Sequence, residues 1–239
     1  MTKVLLSLAL TSLALGAQAD GLNLNTEDYP PFNMTDGGKV GGLSTEVVQE
    51  MAKRAGVKVS VELLPWARAL DNATKNKDHC VYSAIRSAQR EKLFKWIGPL
   101  AVDQPALIAK VDSKITLKSI DDAKPYKIGG YQGDAVTQSV VDRKLNVEVV
   151  PANKLNIPKL EAGRIDFWVG TEISGLYLAK REGAAGKFKV AVKFGELRDA
   201  QLWLACNPGV ADDMVAKLDK ALKDMESDGT AEKIRKKYM

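Results

Sequence analysis

The sequence predicts an α/β protein whose sheets are mostly parallel and covered by helices. Two observations carry this. Strand-like and helix-like segments alternate as β-α-β-α-β from residue 21 to Cys80, and a second set of the same kind lies between about 110 and 195. No short-period repeat runs through either set, which removes a solenoid. A chain of 239 residues can bury a sizeable core in one large or two small domains.

Residues 21–26 (GLNLNT) alternate apolar and polar as a strand does, and end at Glu27-Asp28-Tyr29-Pro30-Pro31-Phe32, where two prolines stop regular pairing. Gly37-Gly38 and Gly41-Gly42 bracket a turn. Ser44 is placed to cap a helix whose Val47, Val48, Met51, Ala52 and Ala55 keep helical spacing up to a stop at Gly56. Residues 57–63 alternate again as a strand, and Pro65 opens a helix carrying Trp66, Arg68, Ala69 and Leu70. A β-branched and aromatic strand covers 80–85, followed by a polar loop, a short amphipathic turn at 91–95 and a Gly98-Pro99 stop. Strands are predicted at 105–110, 126–131, 147–150, 165–169, 188–194 and 201–205. Helical segments are predicted at 119–123, 134–145, around 159–163 and near 173–181, and the tail 211–238 forms two amphipathic helices broken at Asp228-Gly229.

The first 19 residues have the form of a secretory signal peptide. Lys3 supplies the positive end, residues 4–15 an apolar core too short for a comfortable membrane span, and Ala17-Gln18-Ala19 a small-x-small cleavage site before Asp20. Cleavage after Ala19 and release into the periplasm are expected. Lys and Arg number 35 against 30 acidic residues, a formal charge of +5, with no basic block and no basic-aromatic interleaving, so nucleic acid is not an expected partner. The one histidine, His79, has no partner at metal-ligand spacing, and two cysteines leave little room for a zinc site or a histidine-based triad. No metal and no cofactor are expected.

Residues 80–100 (CVYSAIRSAQREKLFKWIGPL) concentrate the chemistry. The strand delivers Arg86, Ser87 and Arg90 at its end, and a guanidinium pairs bidentately with carboxylate or phosphate while staying charged. From these residues alone, an anion site and two solvated surface arginines stand equally open. A second candidate is the strand-glycine-helix junction at Gly133-Asp134, where free N–H groups and a helix dipole favour an anion, although Asp134 serves equally well as an ordinary cap.

Four motifs occur in a telling order: Tyr29-Pro30-Pro31-Phe32, then Ser87-Ala88-Gln89-Arg90 followed by Trp96 and Pro99, then Gly163-Arg164-Ile165-Asp166, then Asp228-Gly229-Thr230. In these the chain resembles the periplasmic solute-binding proteins of amino-acid-type ABC importers (bacterial extracellular solute-binding family 3, type II periplasmic binding protein fold). The likeness covers nearly all of the chain beyond the signal segment. It implies two lobes joined by two crossing strands and closing on a small solute. Lobe 1 would comprise 20–103 plus 204–239 and lobe 2 104–203, with hinges near 104–110 and 201–205. It further implies a monomer and, as partner, an ABC permease in the inner membrane.

The resemblance assigns roles residue by residue. Arg90 matches the clamp for the solute carboxylate and Ser87 the hydroxyl that assists it. Tyr29 and Trp66 match aromatic covers on the two sides of the solute, with plain core packing as the alternative. Gly133 and Asp134 match a loop whose N–H groups reach the same carboxylate. Ala84, on the strand that delivers Arg90, belongs to the expected binding set. Arg86 matches no constant position and is either a second anion contact or solvated. One position departs from the pattern: Thr171 stands where amino-acid binders place the aspartate that pairs the solute ammonium. Glu172, Glu27 and Asp28 are unplaced substitutes, so an organic acid, a modified amino acid or a peptide-like metabolite remains open beside a standard amino acid. In the resembling fold the returning strand lies antiparallel to the strand at 80–85, which implies a Cys80–Cys206 disulfide in an oxidising compartment; two buried thiols are the alternative.

Two other functions share the scaffold. A periplasmic enzyme resembling cyclohexadienyl dehydratases needs a tuned acid or base in the cleft, for which Glu172 and Glu27 are the candidates. A receptor presenting its ligand to a signalling partner would act in trans.

Overall fold

The computed structural model describes residues 21–238, so the predicted signal peptide at 1–19 lies outside the described residues. The chain runs β1 (Leu22–Thr26), a hairpin of β2 (Met34–Asp36) and β3 (Lys39–Gly41), α1 (Leu43–Ala55), β4 (Val59–Leu63), α2 (Trp66–Lys75), β5 (His79–Ile85), β6 (Lys95–Val102) and β7 (Pro105–Lys110). It continues through β8 (Ile128–Tyr131), α3 (Ala135–Asp142), β9 (Val147–Val150), α4 (Asn156–Glu161), β10 (Phe167–Thr171), α5 (Glu172–Ala179), β11 (Phe188–Lys193), β12 (Gln201–Cys206), α6 (Asp212–Ser227) and α7 (Thr230–Arg235).

Two five-stranded sheets result, ordered β4-β1-β5-β12-β6 and β11-β7-β10-β8-β9. In the first, β4, β1 and β5 are parallel and β12 returns antiparallel to both β5 and β6. In the second, β10, β8 and β9 are parallel, while β7 runs antiparallel to β10 and β11. The chain passes between sheets twice, at Asp103-Gln104 and through 194–200. Because β6 neighbours β12 in one sheet and β7 neighbours β11 in the other, the two crossings lie side by side.

Helical periodicity in α1 puts Val47, Val48 and Met51 against the first sheet together with Leu218, Leu222 and Met225 of α6. The second sheet has its own core of Leu107, Ile128, Val140, Phe167 and Val169. Among the described residues no helix is long and apolar enough to cross a membrane.

Two local expectations change. Ser44 does not cap α1: the helix begins at Leu43 behind Gly42, whose φ of 105° and tight approach to the Phe32 carbonyl (2.6 Å from a hypothetical Cβ) admit only glycine. Gly98-Pro99 does not stop a strand but lies inside β6. That strand is at the sheet edge, where the N–H that proline lacks costs no ladder bond.

Cys80 and Cys206 face each other across the β5–β12 ladder and are joined by a disulfide, with Cα atoms 3.9 Å apart and 126 residues between them in sequence. Replacing both by alanine is expected to lower the unfolding free energy by about 2–5 kcal/mol, read as a shifted denaturant midpoint. The unaltered protein unfolded in reductant should move likewise, and coincident midpoints with and without the bridge would show that it contributes nothing.

Candidate functional site

At the end of β5 the chain turns tightly, with the Arg90 N–H donating to the Ser87 carbonyl at 3.0 Å, and this folds the Arg90 side chain inward until it is 8% exposed. Its Nη1 donates to the Ile85 carbonyl at 3.2 Å and its Nη2 to the Gly133 carbonyl at 2.5 Å. The guanidinium carbon lies 5.5 Å from the centroid of the Trp66 ring, in cation–π range. Among the described residues no carboxylate stands within ion-pair distance of it. Burial pulls the Arg90 pKa down, opposed by the more distant charge of Asp134, and the group remains a cation. The Trp66 Nε1 donates to the same Gly133 oxygen at 2.8 Å. One carbonyl on the β8–α3 loop thus accepts from two residues of the first sheet's side. Gly133 adopts a φ of 76°, a conformation that favours glycine.

Two cavities adjoin this junction. The smaller, about 220 Å³, is lined by Ser87, Arg90, Gly133, Asp134 and Gln138 among others. The larger, about 570 Å³, is lined by Glu27, Asp28, Trp66, Tyr131, Asn153 and Arg181 among others. Each takes walls from both sheets. The Gly133 oxygen ties Arg90, on the wall of one, to Trp66, on the wall of the other.

The predicted residues divide accordingly. Ser87, Arg90, Gly133 and Asp134 meet around the smaller cavity, and Trp66 faces the larger. Asp134 caps α3, its Oδ2 accepting from the Thr137 N–H at 2.7 Å and hydroxyl at 2.8 Å. Tyr29 and Thr171 come together but line neither cavity. Their hydroxyls are 2.5 Å apart, and the Tyr29 hydroxyl also reaches Asp103 Oδ2 at 3.2 Å. Asp103, at the first crossing, accepts the Ile173 and Ser174 N–H groups at 2.8 and 3.0 Å, satisfying free donors of the first turn of α5. Burial raises the Asp103 carboxyl to about 6. Ala84 is fully buried within β5 opposite Trp203. Arg86 forms a bidentate pair with Glu91 at 2.7 and 2.5 Å and lies 5.7 and 5.1 Å from the Trp96 and Trp203 rings, lining neither cavity. Glu172 pairs with Lys193 at 2.7 Å.

Several participants escaped the sequence. Tyr131 donates its hydroxyl to Glu27 Oε1 at 2.8 Å, and Arg181 pairs with Asp28 through both Nη atoms, so each spans from the second sheet's side to the β1 loop. Glu27 itself is set by a relay: the Ser83 hydroxyl donates to Asn33 Oδ1 at 2.5 Å, and Asn33 Nδ2 donates to the Glu27 carbonyl at 2.6 Å. Ser83 holds a φ of 58° in mid-strand, which turns its hydroxyl to this task at a backbone cost. Glu27 follows the last residue of β1, and the end of a parallel strand is where open α/β sheets place ligand contacts. Glu27 was named from the sequence without being placed, and that position was the signal that could have placed it. Burial, then the nearby Asp134 and Asp28 charges, raise the Glu27 carboxyl to about 8, against the lowering effect of its Tyr131 hydrogen bond and Arg90. Among the described residues no cluster of His, Cys, Asp or Glu is arranged to hold a metal ion.

Because the Glu27 and Asp103 pKa values rise on folding, the native state holds protons that the unfolded chain releases. Their favourable contribution is present at low pH and is lost as pH rises through about 6 for Asp103 and about 8 for Glu27. Glu27→Gln, neutral throughout, should therefore gain thermal stability relative to the unaltered protein as pH climbs from 5 to 8.5. A pH-independent difference in melting temperature would contradict the raised carboxyl.

The chain matches, over residues 23–239, the family model described as bacterial extracellular solute-binding proteins, family 3. It is 25% identical over 220 residues to the L-cystine-binding protein TcyA of Bacillus subtilis (strain 168), covering 91% of this chain and 80% of that one. An ancestral arginine-binding protein solved with arginine superposes with a TM-score of 0.79 at 25% identity, covering 92% of this chain and 98% of the other. A histidine kinase sensor domain similar to periplasmic binding proteins shares the fold, with a TM-score of 0.83 at 19% identity over 92% and 96% of the two chains. Two sheets joined by paired crossings, with a buried arginine between them and a family match from β1 to the last residue, lead to one conclusion: the chain belongs to the bacterial extracellular solute-binding proteins, family 3.

Proposed function

We propose that the protein captures a small carboxylate-bearing solute, an amino acid or a close relative of one, in the cleft between two lobes, and presents the closed form from the periplasm to an ABC permease of the inner membrane. The first lobe is residues 20–103 with 204–239 and the second 104–203. The observation that carries this is Arg90. A guanidinium 8% exposed, answered among the described residues by two neutral carbonyls and the Trp66 ring, bears a charge with no counter-charge of those residues in contact. Taking an ion out of water costs several kcal/mol unless an opposite charge compensates, and a solute carboxylate supplies that charge with a bidentate fit. Ser87 shares the cavity with Arg90 and supplies a hydroxyl donor. The names of the relatives, cystine-binding and arginine-binding, favour an amino acid as the solute class. Closure is then a two-state equilibrium biased by ligand. The bonds of Gly133 to Arg90 and Trp66, of Glu27 to Tyr131, of Tyr29 to Thr171 and of Asp28 to Arg181 are its closed-state contacts.

A thermal-shift screen against amino acids and organic acids tests the proposal. A ligand at a hundred times its Kd stabilises by about 2.7 kcal/mol, a shift of several degrees. Arg90→Ala should abolish the shift while the ligand-free protein still melts cooperatively, and Arg90→Lys should recover only part of it. An undiminished shift in Arg90→Ala would place the carboxylate elsewhere.

One arrangement favours enzymatic use of the cleft, namely Glu27 beside a cavity, its carboxyl raised by burial to about 8. Turnover of prephenate or arogenate, abolished by Glu27→Gln, would establish it, and no product from either substrate removes it.

A further inference from the structure

The passage between the sheets holds a polar cluster that lines neither cavity, centred on Asp103, which is 1% exposed. Its carboxyl is gripped from the second lobe by the Ile173 and Ser174 N–H groups at 2.8 and 3.0 Å. The Glu172 N–H donates to the Gln104 carbonyl at 2.9 Å, so three consecutive residues bind the start of α5 to the first crossing. The two crossings are tied to each other as well. The Asp103 N–H donates to the Ala200 carbonyl at 2.7 Å and Gln104 Nε2 to the Phe194 carbonyl at 2.5 Å. Asp103 is thus fixed to the pivot itself. The first lobe adds one polar group, the Tyr29 hydroxyl, 3.2 Å from Asp103 Oδ2 and 2.5 Å from Thr171 Oγ1. The Tyr29 ring is held in place by Phe32, stacked with centroids 5.6 Å apart.

This chain of three groups is satisfied with or without a proton on Asp103. Ionised, Asp103 accepts from the Tyr29 hydroxyl, whose oxygen accepts from Thr171. Protonated, Asp103 Oδ2 donates to the Tyr29 oxygen, and the Tyr29 hydroxyl turns to donate to Thr171. Water decides between the two. Separating the lobes withdraws Tyr29 and hydrates the carboxylate, which favours the ionised form, whereas closing them strips that water away. We propose that Tyr29, Asp103 and Thr171 form a proton-sensitive latch: closing the lobes assembles it and draws a proton onto Asp103, so closure weakens as the medium becomes more alkaline. This rests on two lobes that close on a solute, and it adds a control of that closure by pH.

Burial is the leading cause that raises the closed carboxyl to about 6, opposed by the hydrogen bonds from Thr171, Ile173, Ser174 and Tyr29. The titratable and charged groups on the surrounding elements are few. Tyr29 is a phenol kept neutral by burial and then by the charges of Asp103, Asp134 and Glu27. Asp28 shares the β1 loop, Glu172 of α5 is paired with Lys193 of β11, and Arg198 and Asp199 meet in the second crossing. A hydrated aspartate ionises near about 3.9. The closed state therefore binds more protons than the open one between that value and about 6; closure is strongest below this window, falls through it and is constant above it.

The test is made on Glu27→Gln, in which the neighbouring acid, itself raised to about 8, no longer titrates. X-ray scattering of the solute-free protein from pH 4.5 to 7.5 reads its compactness. The ratio of closed to open molecules should fall roughly 10- to 30-fold across that range, seen as a larger radius of gyration above pH 6. Adding Asp103→Asn should leave one radius at every pH. Adding Tyr29→Phe, which keeps the ring and loses the hydroxyl, should leave the protein expanded already at pH 4.5. In the unaltered protein, carboxyl-carbon NMR should find Asp103 titrating well above the ordinary aspartate range, a readout that stands even if a variant fails to fold. Titration in the ordinary range, or a pH response that survives Asp103→Asn, overturns the latch. A radius that ignores pH but shrinks with one of the standard L-amino acids or L-cystine overturns the latch alone. A radius that answers neither pH nor any of these overturns closure on an amino acid together with it.

Discussion

A guanidinium withdrawn from water has to be answered, and here the answer comes from the opposite wall. Arg90 reaches across to the Gly133 carbonyl, and Trp66 reaches the same oxygen. A neutral carbonyl compensates only part of the charge, and this contact is one of several that tie the two sheets together. Gly133 makes this possible because its positive φ turns the carbonyl toward the first lobe without a side chain meeting Trp66, which stands 3.3 Å from a hypothetical Cβ.

A second constraint sits at the crossing. Asp103 bonds the first turn of α5 and the Tyr29 hydroxyl, and Tyr29 in turn bonds Thr171 at the end of β10. These hydroxyl and carboxyl groups are dedicated to the geometry of the passage between sheets. The side chains of Asp103, Tyr29 and Thr171 are thereby committed to one another and to the start of α5.

Much of the fold was legible because its signals are local. The alternation in 21–26 and the full length of β9 follow from period and turn chemistry, as does the break of the tail helices at Asp228-Gly229. Where the sequence misled, a tertiary fact overrode a local rule. Gly98-Pro99 continues β6 because the strand is at an edge, and Ser44 yields the start of α1 to Gly42 because Phe32 crowds that point. Of the candidate site, the Ser87–Arg90 turn and the Gly133-Asp134 junction were readable as strand ends bearing donors. The pairing of Glu27 with Tyr131 was not, since 104 residues separate them and only the closing of one sheet on the other makes them neighbours. Asp103 was invisible for the same reason: its partners belong to β10, α5 and the β1 loop, and no sequence period connects them.

The bridge between Cys80 and Cys206 has a topological consequence. Every strand of the second sheet, β7 to β11, lies in the chain between these two half-cystines. That sheet is therefore a covalently closed loop rooted in the ladder of the first. A protease that cuts anywhere along it leaves one molecule, not two, until the bridge is reduced. The root can persist while the loop opens, so the second lobe has a fixed base on which to re-form.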